Sequence, residues 1–283
     1  MIINVSVIIP TYNRVKFLPA CINSVLKQSI PVEEIIVVDN NSSDGTVNYI
    51  RDKFKMVRVL IERNKGVSFA RNLGILNSKN NWVAFLDSDD EWMPDKIQKQ
   101  IELIKRLNYK VNFIHTNEKW VRNNIILNQK KKHAKKGGYI FQDCLDICKI
   151  SPSSTLIKKS LFDQYGLFNT KFKVCEDYEL WLRFTSKIEI GYINEVLIKK
   201  NGGHNDQLSK KYWGIDRYRI KALEKLIVTN NLTIEYKVMA VKKLIEKINI
   251  LILGAINRKN KRILKMYIYK KYIWSEYYFK IIR

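Results

Sequence analysis

Trp82-Val83-Ala84-Phe85-Leu86-Asp87-Ser88-Asp89-Asp90-Glu91-Trp92 changes character at its midpoint. Its first half is an apolar run with the composition of a strand buried on both faces. The run stops at four acids among five residues. Carboxylates this crowded repel one another, and left alone some would stay protonated or the loop would splay. A hard divalent cation removes the conflict, because Mg²⁺ or Mn²⁺ takes oxygen ligands and bridges one or two carboxylates to a substrate's phosphates. A solvated acidic turn leading into a helix from about Pro94 is the plainer alternative.

The chain before this stretch says what kind of strand it is. Val5-Ser6-Val7-Ile8-Ile9-Pro10 is β-branched and apolar on both faces, and Pro10-Thr11-Tyr12-Asn13 stops it. Asn13 is expected to cap a helix running to Gln28, with Phe17, Leu18, Cys21, Ile22, Val25 and Leu26 on its inner face. A second apolar strand, Ile35 to Val38, ends in Asp39. The polar turn 40–46 leads into a helix through about Phe54. Val57-Val59-Ile61 forms a third strand, Asn64-Lys65-Gly66 breaks it, and a helix carrying Ala70-Arg71-Asn72 returns to Trp82. Such alternation predicts an α/β fold with a doubly wound, mostly parallel sheet. Ligands in these sheets sit beyond the carboxyl ends of the strands. Thr11, Asp39, Asp87 and Asp89 all fall there. Neither GxGxxG nor GxxxxGK[ST] is present, so the glycine-rich phosphate loops are not used.

Beyond the acids, a helix is expected to about Asn108, then a strand over 111–116 and a hairpin over 120–127. Lys130 to Gly138 is cationic and without periodicity: a solvated connector, or a mobile cover over an anionic substrate. His133 within it is expected in solvent rather than on a metal. Leu180, Trp181 and Phe184 make an apolar helix face, which puts Glu176 and Asp177 at the helix start, where the dipole favours carboxylates. They are either simple capping acids or a general base held rigidly. A strand over 188–198 and a Gly202-Gly203-His204 turn follow.

From Tyr212 the pattern is helical. Between Arg258 and Arg283, Lys and Arg alternate with Tyr267, Tyr269, Tyr272, Trp274, Tyr277, Tyr278 and Phe279. This mixture suits a helix lying on anionic headgroups; a helical cap over the core or a nucleic-acid surface are the alternatives. The chain of 283 residues carries 51 Lys and Arg against 27 Asp and Glu, a net charge of +24 that implies polyanionic company. Because the excess gathers in the tail, a membrane surface is preferred to nucleic acid. Four cysteines without a CxxC pair (Cys144 and Cys148 expected on one helix face) read as small buried hydrophobes in a reducing setting. The N-terminus lacks a basic signal-peptide region, and the longest apolar run, Ile250 to Ile256, is far short of a bilayer span. The expected location is cytoplasmic, peripheral on the inner face of the plasma membrane.

Four segments together resemble the nucleotide-sugar half of the family 2 glycosyltransferases, which have the GT-A fold. They are Val7-Ile8-Ile9-Pro10-Thr11-Tyr12-Asn13-Arg14, Ile36 to Thr46, Asn64 to Asn72, and Phe85-Leu86-Asp87-Ser88-Asp89-Asp90. Glu176-Asp177-Tyr178-Glu179-Leu180-Trp181-Leu182-Arg183 is similar to the family's acceptor-side motif. The resemblance implies a catalytic domain over 1–211, with its nucleotide-sugar half at 1–92 and acceptor half at 93–211. Residues 212–283 form a separate basic, aromatic-rich helical region.

It also implies roles. Pro10, Thr11 and Tyr12 line the nucleobase pocket, Asp39 contacts the base, Arg71 reaches the phosphates, and Asp87 with Ser88 lies near the ribose or donor sugar. Asp89 ligates Mn²⁺ or Mg²⁺, Asp177 is the catalytic base, and His204, five residues before Ser209, is a further metal or phosphate contact. Trp92, Glu176, Trp181 and Arg183 belong to the acceptor side. The implied reaction is inverting transfer of a hexose or N-acetylhexosamine from a nucleotide-diphosphate sugar, expected to be a UDP-sugar. The acceptor is a hydroxyl of a glycan or lipid-linked glycan in cell-surface polysaccharide synthesis. A nucleotidyltransferase or metal-dependent phosphoesterase would also use a strand-end Asp-x-Asp, and a basic nucleic-acid-binding module would not need the acids at all.

Overall fold

The computed structural model describes residues 2–123, 125–203, 212–229 and 231–283. The apolar segments of the first half form β1 (Val5–Thr11), β2 (Glu34–Asp39), β3 (Arg58–Ile61) and β4 (Trp82–Phe85), all paired in parallel. Between them run α1 (Leu18–Leu26), α2 (Thr46–Lys53) and α3 (Val67–Asn77). Then come β5 (Glu91–Trp92), α4 (Lys96–Arg106), β6 (Phe113–Arg122), β7 (Ile125–Leu127), α5 (Phe141–Cys144), β8 (Leu156–Lys158), α6 (Ser160–Tyr165), α7 (Glu176–Thr185) and β9 (Gly191–Gly202). The tail is α8 (Asp216–Thr229), α9 (Ile234–Asn257) and α10 (Lys261–Ile282).

Among the described residues nine strands make one sheet, ordered β3-β2-β1-β4-β8-β6-β9-β5 with β7 on β6. It is mixed rather than parallel throughout. The first four strands are parallel and β6 pairs β9 in parallel, but β8 runs antiparallel to both β4 and β6. Strand pairing depends on partners far apart in sequence, so composition could show that these segments were strands without showing their direction.

Alternation along the strands divides the core in two. Val5, Val7, Ile9, Ile35 and Val37 face α1 and α4, while Ile8, Ile36 and Val38 face the layer containing α3 and α7. Gly74 lets α3 lie close on β1, because a Cβ there would come within 2.5 Å of Ile8 Cγ2. Ile220, Leu223, Val241, Leu244 and Ile248 of the tail helices join the same apolar cluster as Tyr178 and Trp181 of α7. The boundary expected at 211/212 itself lies outside the described residues.

Several local expectations change. Asn13 does not cap a helix: α1 starts at Leu18, and Asn13 takes a left-handed φ of 52° to tie two loops together. Its N–H donates to Ser42 Oγ (2.8 Å) and its Oδ1 accepts from the Ser43 N–H (2.8 Å). The hairpin arm at 120–122 is the end of one long strand, β6, bulged at Thr116 to Glu118. Cys148 lies beyond the end of α5, so it shares no helix face with Cys144. The cationic segment 130–138 is exposed at Lys130, Lys131, Lys132, Ala134 and Lys136 but is anchored at two points. Lys135 buries its ammonium against Glu118 at 2.7 Å, and His115 Nε2 contacts the Lys136 carbonyl at 3.0 Å. His133 is half-buried, edge-on to Trp120.

Candidate active site

The acidic loop follows β4 directly, so its carboxylates emerge at the carboxyl edge of the parallel strands. Two neighbours hold it. Ser153 Oγ accepts from the Asp87 N–H (3.1 Å) and donates to Asp90 Oδ2 (2.7 Å). Asn201 donates its N–H to Asp90 Oδ1 (3.2 Å), and its Nδ2 donates to the Asp89 carbonyl (2.9 Å) and to Glu91 Oε1 (3.0 Å). Asp90 is therefore a buried anchor. Burial raises its pKa well above the ordinary carboxylate range, and Lys200 at 4.0 Å only partly opposes this. Glu91 pairs with Lys199 across the β5–β9 ladder (2.8 Å). Neither acid merely starts the next helix, which begins at Lys96.

That division leaves Asp87 and Asp89 for ligands. Asp89 is half-buried, and burial followed by the charge of Asp87 pushes its pKa up. Burial would raise Asp87 too, but Arg71 and Lys200 together hold it low. The carboxylate left under electrostatic strain is Asp89, the one that a cation would relieve.

Along the edge beside this loop, buried polar atoms lack partners. Thr11 Oγ1 and Asp39 Oδ1 lie on adjacent register partners of β1 and β2, and Ser68 Oγ lies in the first turn of α3. That turn is fixed to the β2 edge because Asn40 Oδ1 accepts from the Gly66 N–H (2.7 Å). The other oxygen of Asp39 accepts from the Ser42 N–H (2.9 Å). Buried polar groups are nearly always satisfied in native folds, so these three atoms at the carboxyl ends of β1 and β2 and the start of α3 have capacity for a polar ligand.

Arg71 connects this edge to the other half of the molecule. Arg71 is 3% exposed, and its guanidinium donates to Asp87 Oδ1 and to Glu176 Oε1 at 2.7 Å each and lies over the Phe168 ring. Glu176 opens α7 after Cys175, whose left-handed φ of 63° turns the chain into the helix. Burial, reinforced by the Asp177 charge, raises Glu176 to about 7 despite Arg71. Asp177 is half-buried and accepts from the Tyr178 N–H at 2.7 Å. Its charge is felt by Arg71, so one guanidinium lies between the donor-side acid and the helix that carries a second, separate carboxylate.

The family called Glycosyl transferase family 2 matches residues 6–166, more than half the chain. The chain belongs to glycosyltransferase family 2. A curated Escherichia coli relative, UDP-Glc:alpha-D-GlcNAc-diphosphoundecaprenol beta-1,3-glucosyltransferase WfgD, is 32% identical over 67% of this chain and 73% of its own length. An uncharacterized glycosyltransferase of Rickettsia felis is 34% identical over 71% of this chain but 34% of its own, so the chain spans about a third of that relative. Among solved structures, S. aureus TarS 1–349 in complex with UDP-GlcNAc superposes with a TM-score of 0.69 at 19% identity, over 87% of this chain and 72% of that one. Mannosyltransferase PcManGT from Pyrobaculum calidifontis, with GDP-Man and Mn2+, gives 0.60 at 15% identity over 95% and 86%. These likenesses show the GT-A fold.

Within this family 2 member, the structure brings Thr11, Asp39, Arg71, Asp87, Ser88 and Asp89 to one edge and ties Arg71 to Glu176. Pro10 pairs with Val38 inside the sheet, and Tyr12 is half exposed beside Thr11. Arg71, expected on the phosphates, has both terminal nitrogens committed to carboxylates. Trp92, Trp181 and Arg183 are not ligand-facing. Trp92 is buried under the Lys96 ammonium and donates to the Ser153 carbonyl (2.8 Å). Trp181 is 1% exposed and donates to the Ile150 carbonyl (2.9 Å). Arg183 gathers the carbonyls of Tyr165, Gly166 and Leu167 and pairs with Glu179. Aromatic and basic residues in a helical motif serve packing as readily as binding, and only burial separates the two. His204 and Ser209 lie outside the described residues.

Two cations escaped the sequence reading. The charges of Arg14 and Lys200 both lower the pKa of Asp89, and Lys200 Nζ lies 4.0 Å from Asp90 Oδ2. Arg14 follows the Pro10-Thr11-Tyr12-Asn13 turn and could have been suspected. Lys200, 111 residues beyond Asp89, reaches it only through the sheet.

The residues fit a divalent cation. Among the described residues no cluster of three or more His, Cys, Asp or Glu could hold a metal. Asp89, aided by Asp87, could supply the one or two carboxylates that Mg²⁺ or Mn²⁺ uses when phosphates and water complete its shell.

Proposed function

We propose that this chain is a metal-dependent, inverting glycosyltransferase that moves a sugar from a UDP-sugar to a hydroxyl of a lipid-linked glycan in cell-surface polysaccharide synthesis. The observation that carries this reading is the carboxyl edge of the parallel strands, where the acid loop with Asp87 and Asp89 follows β4 and the unpartnered atoms of Thr11, Asp39 and Ser68 lie at β1, β2 and α3. Its chemistry matches a nucleoside diphosphate, with a base edge and hydroxyls for the orphans and a diphosphate for the acid loop. The printed names of relatives that handle UDP-glucose or bind UDP-GlcNAc support a uridine donor.

Asp39 Oδ1 accepts from the base, Thr11 and Tyr12 flank it, and Ser88 and Asp87 lie toward the ribose and sugar. Arg14 and Lys200 face the phosphates. A cation held by Asp89 would neutralise charge growing on the departing diphosphate. Asp177, on a separate element, takes the proton of the acceptor hydroxyl as it attacks, a group whose own pKa is far above 7. Attack from the face opposite the diphosphate inverts the anomeric centre. Arg71 holds the two stations in register. Residues 1–211 form the catalytic part. The basic tail sets the enzyme peripherally on the cytoplasmic face of the membrane; among the described residues no helix is long and apolar enough to cross one.

The test is a panel of nucleotide sugars with Mn²⁺, scored by thermal shift and by released product. Stabilisation by UDP plus Mn²⁺ that disappears in Asp89→Asn, with UDP released on transfer, is expected. At a hundred times its Kd a ligand stabilises by about 2.7 kcal/mol. Undiminished stabilisation of the variant removes Asp89 as the metal residue, and pyrophosphate as product makes the protein a nucleotidyltransferase.

A further inference from the structure

The start of α8 and the C-terminal third of α9 enclose an open cleft of about 610 Å³, away from the acid loop. Trp213 forms one wall, 54% exposed, and is flanked by two guanidiniums. Arg217 lies 3.9 Å from the ring centroid and Arg258 5.7 Å. Arg217 is fixed there by donating to the Trp213 carbonyl (2.9 Å). Gly254 opposite admits Arg258, because a Cβ at that position would meet Arg258 Nη2 at 2.7 Å. The acid of the cleft, Asp216, is already committed to Arg219 (3.0 Å) and Lys247 (3.4 Å). Arg258 is exposed and has no carboxylate partner among the described residues, so the cleft presents uncompensated positive charge.

The other wall is apolar. Ile250 and Leu251 line it, and Ile250, Leu253 and Ile256 continue outward as a stripe, 53%, 61% and 52% exposed. Just past it α10 starts with Lys261 and Arg262, and Ile268, Tyr269, Tyr272 and Phe279 are exposed farther along. A soluble anion would use the arginines but leave the stripe in water. A nucleic acid would likewise leave three aliphatic side chains uncovered. An anionic phospholipid has both parts, a phosphate for the guanidinium and acyl chains for the stripe, and indoles favour the level between them.

We propose that this cleft seats the headgroup phosphate of an anionic phospholipid at the bilayer surface, with Arg258 on the phosphate, Trp213 at headgroup level and Ile250, Leu253 and Ile256 in the acyl layer. The proposal rests on the membrane part of the functional reading and gives it a specific site.

The test is co-sedimentation of the full chain with phosphatidylglycerol/phosphatidylcholine vesicles and with pure phosphatidylcholine, at about 0.1 M salt. Wild type is expected on the anionic vesicles only. Arg258→Gln should bind about fivefold more weakly, as for the loss of one basic contact at an anionic surface, and Leu253→Glu more weakly still. Lys55→Gln, an equal charge change in the exposed turn after α2, should bind as wild type. A blue shift of tryptophan emission on vesicle addition should be lost in Trp213→Phe. All variants are compared at matched melting temperature. If wild type fails to bind, this site and the membrane reading both fall. If it binds while Arg258→Gln and Leu253→Glu bind equally well, the membrane reading stands and the cleft is excluded. Arg258-dependent stabilisation by inorganic phosphate alone, or displacement from vesicles by single-stranded RNA, would overturn the lipid assignment.

Discussion

Replacing Arg71 with methionine keeps a stem of similar length over Phe168 but removes the cation shared by Asp87 and Glu176. Both partners are held at 2.7 Å, and the side chains of Arg71 and Glu176 are 4% and 8% exposed. Breaking a buried ion pair by deleting one partner costs about 3 to 5 kcal/mol, because the remaining charge is left uncompensated. At roughly 2 to 4 °C per kcal/mol for a domain somewhat smaller than this chain, the melting temperature should fall by roughly 6 to 20 °C. The pH dependence gives the sharper test. Glu176 already binds its proton up to about 7 in the folded state, whereas an unfolded glutamate titrates near ~4.3. The folded state therefore holds more protons between those values, and this group's contribution to stability falls as pH rises through that window. Asp87 behaves oppositely: its pKa is lowered, and its contribution is lost only as pH falls through the acid range.

Without Arg71 both carboxylates shift upward, so the variant's deficit should be larger at pH 8 than at pH 5.5. Scanning calorimetry across that range measures it. Arg71→Lys should recover only part of the loss, since one ammonium lacks the fork that reaches two carboxylates. A melting temperature within about 2 °C of wild type at pH 8, or a deficit independent of pH, would refute the reasoning.

Asp177→Asn should retain UDP and Mn²⁺ binding by thermal shift while turnover drops by about 10² to 10⁴, the usual contribution of a positioned base; near-wild-type turnover would exclude Asp177. Ser153→Ala leaves buried Asp90 short of a donor, at a cost of about 1 to 3 kcal/mol; with the acid loop loosened, KM for the donor should also rise, which steady-state kinetics reads. Gly74→Ala forces a methyl against Ile8 on β1 and should destabilise by about 1 to 3 kcal/mol by overpacking, with no change in KM at a temperature where the variant is folded.

What the sequence determined by itself was local. Four apolar segments each ending in a polar turn specified parallel strands and the edge where ligands gather. The acids at 87–91 and at 176–177 announced two carboxylate stations, because strand and helix periodicities and the helix dipole act over a few residues. The tertiary structure decided which acids are available. Asp90 and Glu91 are as acidic as Asp89, yet Ser153, Asn201 and Lys199, 63 to 111 residues away, take both of them as anchors. It also turned Arg71 from a free cation into a bridge, gave Trp92 and Trp181 to the core, and brought Lys200 to the acid loop. Burial and charge pairing are set by neighbours the sheet assembles. Free carboxylates and spent ones therefore separate only once the chain has folded.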